Sequence, residues 1–179
     1  MRFMKRFFKY LIPVLATVVL LGLDQLVKYF VSTHMELNQS IPVIKGVLEI
    51  RYIRNSGTAW GMFAGMDMHY FFVVLTLILA AFAVYAYVRF SGDRKYRPIC
   101  VTLVILFAGA MGNMIDRIVY HEVIDFIYFC LINFPIFNIA DIYVVVSMFL
   151  LAFFVCFKYE DEDFDVLKPK GKKNSADQG

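Results

Sequence analysis

The sequence predicts an all-α membrane protein with four membrane-spanning helices, a small extracytoplasmic β-containing cap and both termini in the cytoplasm. Two observations support this prediction. The 179-residue chain is 60% hydrophobic and only 18% charged, a balance that soluble domains of this length do not have. It also contains four apolar segments of about 20 residues, the length that crosses about 30 Å of hydrocarbon.

The first apolar segment, residues 10–31, follows a basic N-terminal stretch and resembles a signal peptide. It lacks small residues at a plausible cleavage site and is followed by further spans, so we interpret it as a retained helix. The other spans are expected at residues 69–89, 99–118 and 139–158. Residues 1–158 then form one membrane domain. The charged tail, residues 159–179, is expected to be disordered because it has few apolar side chains.

Basic residues set the expected orientation of these spans. The N-terminus is basic, and so is the hinge between the second and third spans, whereas residues 119–138 contain no lysine or arginine. The positive-inside rule therefore predicts cytoplasmic termini, with the cap of residues 32–67 and the second loop of residues 119–138 outside. Because the basic residues are explained by topology, no nucleic-acid-binding patch is expected.

The cap is predicted from the alternation of apolar and polar residues in LEIRYIRNSG, residues 48–57. This pattern indicates a short strand that ends in a turn at Asn55–Gly57. Trp60 and Phe63 follow, and aromatic residues of this kind collect at membrane interfaces. An irregular interfacial loop is the alternative interpretation of the same segment.

Four carboxylates stand out because a charged side chain at membrane depth costs about 2.5 kcal/mol or more. With the orientation above, Asp24, Asp116, Asp125 and Asp141 converge on the outer membrane face. A pump's proton relay is instead expected to run through the middle of the membrane. The distribution therefore favours chemistry at the surface over transport.

Two carboxylates held close together share one proton, and that state suits hydrolysis of an amide. The ionised partner takes a proton from water while the protonated partner polarises the carbonyl. The residues alone leave open which two aspartates form such a dyad. No HExxH zinc motif or GxSxG serine motif is present and the three histidines are scattered, so the sequence offers no zinc site and no other convincing nucleophile. No cofactor is expected.

Structural roles are also available for several of these residues. Asp141 lies three residues after Asn138, which suits an N-cap followed by an acid in the first helical turn. Asp116 lies at a helix C-terminus, where the dipole disfavours it, so it needs partners, and Arg117 or Asn113 are candidates.

Asp24 and Lys28 are four residues apart in the first span and share a helix face. Two interpretations of this pair stay open. Either Lys28 snorkels to the interface with Asp24 as its counter-ion, or the pair contributes to the site.

Five motifs carry a family resemblance. The chain contains GAMGNMIDR, VIDF and FNIAD, preceded by NSGTAWG and by the helix-one stretch from Asp24 to Lys28. In this order they closely resemble the motif set of the lipoprotein signal peptidases, or signal peptidase II, over residues 10–158. The resemblance implies an aspartic endopeptidase of the bacterial cytoplasmic (inner) membrane with its active site at the extracytoplasmic face, and we expect it to be a monomer. It would remove signal peptides from diacylglyceryl-modified prolipoproteins, cutting before the lipidated cysteine.

The same resemblance assigns roles to individual residues. It places the catalytic dyad on Asp125 and Asp141, without a metal or cofactor, and makes Asp116 a supporting residue. The residues expected to bind substrate or orient the dyad are Asn55, Asn113, Arg117 and Asn138. The residues expected to support the architecture are Asp24, Lys28, Gly109 and Gly112, with the two glycines permitting close helix approach. Prolipoprotein substrates and membrane lipids are the expected partners.

The chain departs from the family pattern at Thr58 and Trp60 and in the unusually apolar segment of residues 126–135. Two rival functions remain. One is a small ion-coupled transporter subunit, which the absence of repeats and mid-membrane acids disfavours. The other is a non-catalytic assembly protein, which would tolerate Asp125→Asn.

Overall fold

The structure, a computed structural model, describes residues 2–57 and 68–168. Within this part of the chain, four helices are long and apolar enough to cross a membrane, so the predicted number of spans is confirmed. They are α1 (Arg2–His34), α2 (His69–Phe90), α3 (Arg97–Tyr120) and α4 (Ile139–Phe153), the last continued by a π-helical turn at Phe154–Lys158. Expectations for Thr58, Trp60, Phe63 and residues 169–179 lie outside the described residues.

The ends of α3 and α4 follow from local sequence. Pro98 lies in the first turn of α3, where its missing N–H leaves no bond unmade. The helix ends at Tyr120 and is capped by His121, which adopts a left-handed conformation with φ of 60°. Helix α4 begins with a capping box formed by Asn138 and Asp141. This cap fixes the direction in which Asp141 leaves the backbone.

A three-stranded antiparallel sheet lies beside the helices. Its order is β1 (Ser40–Ile44), β2 (Leu48–Asn55) and β3 (Val123–Tyr128). Strand β2 confirms the strand predicted from alternation. Strand β3 was not predicted, because residues 119–138 were expected to form a loop. Its first four residues are all buried, so it lacks the alternation that marks a half-buried strand.

Helix α3 is the central element and packs against each of the other three helices. Its approach to α1 and α4 depends on two glycines. A Cβ on Gly109 would lie 2.6 Å from the carbonyl oxygen of Ala140, and one on Gly112 would lie 2.6 Å from Oδ2 of Asp24. Neither distance is compatible with a side chain, so both positions require glycine for this close packing.

Part of the tail that was expected to be disordered is folded. Residues Asp161–Leu167 form a 3₁₀ helix that packs on α2, and we call residues 159–168 the C-terminal clasp. Phe164 contacts the rings of Phe90 and Tyr159, and Asp163 pairs with Lys95. A handful of apolar and acidic residues thus anchors a segment whose average composition is polar.

Candidate active site

Asp125 lies in β3 with only 2% of its surface exposed. Its two carboxylate oxygens accept hydrogen bonds from two asparagines. Nδ2 of Asn55, at the end of β2, donates to Oδ2 at 2.8 Å, and Nδ2 of Asn138 donates to Oδ1 at 2.7 Å. The pairing of β2 with β3 brings Asn55 to this carboxylate from a distant part of the chain.

Asp141 is fixed at the start of α4 by the capping box. Its backbone N–H donates to Oδ1 of Asn138, and its own Oδ2 accepts the backbone N–H of Asn138, both at 3.0 Å. Its other oxygen accepts a 2.7 Å hydrogen bond from Nδ2 of Asn113 on α3. The N-cap interpretation from the sequence is therefore correct, and the cap also orients a candidate catalytic carboxylate.

Asn138 connects the two carboxylates. This fully buried residue donates its side-chain amide to Asp125 and its backbone N–H to Asp141. Because one residue holds both groups, Asp125 and Asp141 are anchored around a common point. A reactant between them would meet two carboxyl groups in a mostly water-excluded setting.

The electrostatics of this pair affect Asp125 strongly. Burial raises the pKa of its carboxyl to about 7, and the negative charge of Asp141 adds to that increase. Hydrogen bonds from Asn55 and Asn138 and the positive charge of Lys28 act in the opposite direction. A carboxyl with this pKa exchanges its proton near neutral pH, as acid–base catalysis requires.

Behind the dyad lies a buried ion cluster formed by Asp24, Lys28 and Asp116, each at most 1% exposed. Nζ of Lys28 lies 2.8 Å from Asp24 and 2.9 Å from Asp116. Lys28 therefore does not snorkel to the interface. Oδ1 of Asp24 also accepts the backbone N–H of Ala140 in the first turn of α4, which ties α1 to the helix that carries Asp141.

The partners of Asp116 differ from those proposed from the sequence. Besides Lys28, this carboxylate accepts from Nε2 of Gln25 at 3.0 Å and from the backbone N–H of Ile124 at 3.2 Å. Arg117 instead donates to the backbone oxygen of Asn113, and its guanidinium lies 5.0 Å from the ring of Phe72. The bond to Ile124 positions the strand residue next to Asp125.

Asn113 joins the ion cluster to the dyad. Its Oδ1 accepts from Lys28 at 3.1 Å and from Asn138 at 3.0 Å, while its Nδ2 donates to Asp141. Since the lysine can only donate, it forces the amide oxygen toward itself and the amide nitrogen toward Asp141. The ion cluster thereby sets the orientation of an amide that contacts the dyad.

The sequence of this chain is similar to those of a known protein family. Residues 16–157 match the family model described as Signal peptidase (SPase) II. The chain belongs to the signal peptidase II family. A protein of Bacillus subtilis (strain 168) named lipoprotein signal peptidase is 41% identical, over 74% of this chain and 85% of the relative. One of the same name from Streptococcus pyogenes serotype M5 (strain Manfredo) is 33% identical, over 84% and 95%.

Solved structures agree with this assignment. Two solved bacterial membrane enzyme structures are similar to this chain, with TM-scores of 0.71 and 0.69 at 34% and 36% identity. Each match covers 84% of this chain and at least 93% of the solved one. Signal peptidase II enzymes are proteases, and the four apolar helices of the described residues are consistent with a multi-pass membrane protein of this family.

The structure brings together nearly all the residues that the sequence marks as candidates for the site. Asn55, Asn113, Asn138, Asp125 and Asp141 form one hydrogen-bonded set. Gln25 was missed, although its Nε2 lies 3.2 Å or less from Asp24, Asp116 and the carbonyl of Gly112. A polar residue next to Asp24 in an otherwise apolar helix was the available signal.

Proposed function

We propose that this protein removes the signal peptide from diacylglyceryl-modified prolipoproteins, cutting before the lipidated cysteine, with Asp125 and Asp141 as a catalytic dyad. The observation that supports the dyad most directly is that Asn138 hydrogen-bonds both carboxylates. The name lipoprotein signal peptidase, which relatives at 33% and 41% identity carry, supports the substrate class.

In this mechanism the two carboxyl groups hold one proton between them at neutral pH. Asp125 is the more buried of the two, and its pKa of about 7 makes it the principal holder of that proton. Asp141 takes a proton from the attacking water, while Asp125 donates a hydrogen bond to the carbonyl oxygen of the scissile peptide. As the tetrahedral intermediate collapses and its C–N bond breaks, Asp141 gives the proton that it took from water to the leaving amine, and the dyad again holds one proton.

The supporting residues hold the two carboxylates of the dyad in fixed positions. Asn55 and Asn138 hold Asp125, and Asn113 holds Asp141, so each carboxylate oxygen faces a fixed donor. Arg117 lies against Phe72 beside Asn113, where its charge is available to a polar group of the substrate. Such preorganisation lowers the reorganisation needed during the reaction.

The site is proposed to lie at the extracytoplasmic face of a bacterial inner membrane, with the termini in the cytoplasm, because the loop of residues 119–138 has no lysine or arginine. A substrate anchored by acyl chains would meet the dyad at the interface, where water is available. In the apolar segment of residues 126–135, Leu131 and Ile132 are each 69% exposed, and we assign them to contact with the lipid end of the substrate.

The proposed function is tested by cleavage of a fluorescent, diacylglyceryl-modified lipoprotein peptide by the purified full-length protein. Asp125→Asn and Asp141→Asn should each lower turnover by about 10²-fold to 10⁴-fold, since each removes one acid–base group. Asp165→Asn is the matched control, because Asp165 lies in the clasp and is well exposed. Full turnover in a folded dyad variant, or an intact peptide with the wild type, would contradict the proposal.

Lipid recognition is tested separately with the same peptide lacking the diacylglyceryl group. We expect a lower kcat/KM for the unlipidated peptide. The Leu131→Ser and Ile132→Ser variants should narrow that difference, because they remove exposed apolar contacts. Equal kcat/KM values for both peptides with the wild type would refute lipid recognition while leaving the dyad assignment intact.

A further inference from the structure

A long groove lies at the end of the helix bundle that is remote from the dyad. Its volume is about 1300 Å³, and it runs between the N-terminal half of α1 and the first half of α3. Along α3 the groove extends only as far as Ile105, which is eight residues, or about 12 Å, from Asn113. The groove is therefore separate from the candidate active site.

The walls of the groove are almost entirely apolar. The residues that α1 contributes include Phe8, Ile12, Leu15 and Val19, and those from α3 include Val101 and Ile105. The α1 wall extends from Phe8 to Leu20, which is about 18 Å of helix. One leaflet of a bilayer contains about 15 Å of hydrocarbon. The groove thus has the depth that one layer of acyl chains requires.

The mouth of the groove is basic. Lys9, Arg94 and Arg97 line it together with Asp93. Asp93 accepts the backbone N–H of Lys95 at 2.9 Å and thereby caps a short helix. Across the side chains described in residues 7–57 and 68–168, no carboxylate lies within ion-pair distance of the three basic residues. Three basic side chains and one carboxylate, which is already hydrogen-bonded, give the mouth of the groove a net positive charge.

Neighbouring basic residues at this end of the bundle are used differently. Arg89 donates to the backbone carbonyls of Val166 and Lys168, and Lys95 pairs with Asp163. Both side chains therefore hold the C-terminal clasp. The basic residues at this end of the bundle therefore form two groups. One group binds the C-terminal clasp, and the other lines the groove.

We propose that this groove binds a phospholipid with an anionic headgroup. Its acyl chains lie along the apolar walls of α1 and α3, and its phosphate contacts Lys9, Arg94 and Arg97. Basic pockets between membrane helices are suited to anionic headgroups, and each basic residue near a charged lipid surface contributes about a fivefold gain in affinity. Tyr87 fixes one side of the site, because its hydroxyl donates to the backbone oxygen of Lys9 at 2.8 Å.

A signal peptide fits this groove less well than a phospholipid does. Signal peptides have a positively charged segment before their apolar core, and that segment would meet Lys9, Arg94 and Arg97. A second copy of this chain has the same difficulty, since its own basic rim would face them. Charge complementarity therefore favours an anionic lipid over either of these occupants.

The experiment measures lipid binding to the delipidated full-length protein in a neutral detergent by native mass spectrometry. Dioleoyl phosphatidylglycerol and dioleoyl phosphatidylcholine serve as probes, because they share acyl chains and differ in net charge. The wild type should prefer phosphatidylglycerol by about tenfold or more. Arg94→Gln and Arg97→Gln should each reduce that preference by about fivefold, and Val101→Trp should weaken binding of both lipids by filling the groove.

Lys158→Gln is the matched control, because Lys158 is an exposed cation beside the rings of Phe154 and Tyr159 and does not line the groove. It should keep the full preference, and all variants should keep the wild-type melting temperature in detergent alone. Equal binding of both lipids to the wild type would overturn the proposal. So would an equal loss in Lys158→Gln, or displacement of phosphatidylglycerol by glycerol phosphate or by a signal peptide.

Discussion

Two lysine–aspartate pairs lie at opposite ends of this bundle, and they differ mainly in burial. In the ion cluster behind the dyad, Lys28 and Asp24 are 1% and 0% exposed, and their charged atoms are 2.8 Å apart. In the pair that holds the C-terminal clasp, the side chain of Lys95 is 54% exposed and that of Asp163 is 11% exposed. The chemistry is the same, but the surroundings differ.

The difference shows what each pair does. A buried lysine must satisfy its donors within the protein, and Lys28 does so with Asp24, Asp116 and Asn113. Removal of one member leaves an uncompensated charge. An exposed pair is screened by water and contributes little by itself. The ion cluster is therefore part of the site's framework, whereas the clasp pair guides the docking of a short segment.

The largest effect is expected from Lys28→Met. This substitution leaves Asp24 and Asp116 buried without their shared cation, and breaking such a pair costs about 3–5 kcal/mol. We expect the protein to lose its cooperative thermal transition in detergent, or to melt at a much lower temperature.

A triple variant sharpens this test. Lys28→Met combined with Asp24→Asn and Asp116→Asn has no buried charge in the cluster, so it should recover part of the lost stability. A Lys28→Met protein that melts like the wild type would show that the cluster is not needed for the fold.

A smaller effect is expected from Gly112→Ala, because its Cβ would lie 2.6 Å from Asp24 and 3.0 Å from Cβ of Ala140. Overpacking of this kind costs about 1–3 kcal/mol. Gly22→Ala is the matched control in α1, since nothing lies within 4 Å of its added Cβ. It should stabilise the protein by up to about 1 kcal/mol through the entropy of the unfolded chain. Equal melting temperatures for the two variants would argue against close packing at α3.

The smallest effect is expected at the clasp. Lys95→Ala should leave peptidase turnover unchanged and should speed hydrogen exchange only in residues 159–168. Bonds from Lys95 and Tyr96 lower the pKa of Asp163 below its usual value. The pair therefore stabilises the clasp at neutral pH, and this contribution is lost only as the pH falls through that lowered pKa. A large fall in the melting temperature of Lys95→Ala would show that the clasp supports the whole bundle.

Much of the fold was predictable because membrane crossing imposes a strong constraint. Each span needs a long apolar run, and residues 2–57 and 68–168, which the structure describes, contain four of them. Strand β2 was predictable because apolar and polar residue types alternate along its sequence. Strand β3 was not, since its four leading residues are buried on both faces. The helical clasp was also missed, because its anchor residues Asp163 and Phe164 are few among polar neighbours.

The sequence predicts which residues belong to the candidate site better than it predicts which partners each of them contacts. Polar residues in apolar segments are conspicuous, so Asp24, Lys28, Asn113 and Asp116 were all marked. Their partners depend on how α1, α3 and β3 pack, and sequence spacing does not contain that information. The sequence offers Arg117 or Asn113 as partners of Asp116, whereas the structure gives it Lys28, Gln25 and Ile124.

The proposed proton sharing between Asp125 and Asp141 is tested most directly by the pH dependence of kcat/KM. With a pKa of about 7 for Asp125, the wild-type rate should fall on the alkaline side with an apparent pKa near that value, as Asp125 loses its proton. Asn55→Ala removes a hydrogen bond that lowers this pKa, so its alkaline limb should move to higher pH. An alkaline limb that is absent, or unmoved in Asn55→Ala, would contradict the shared proton.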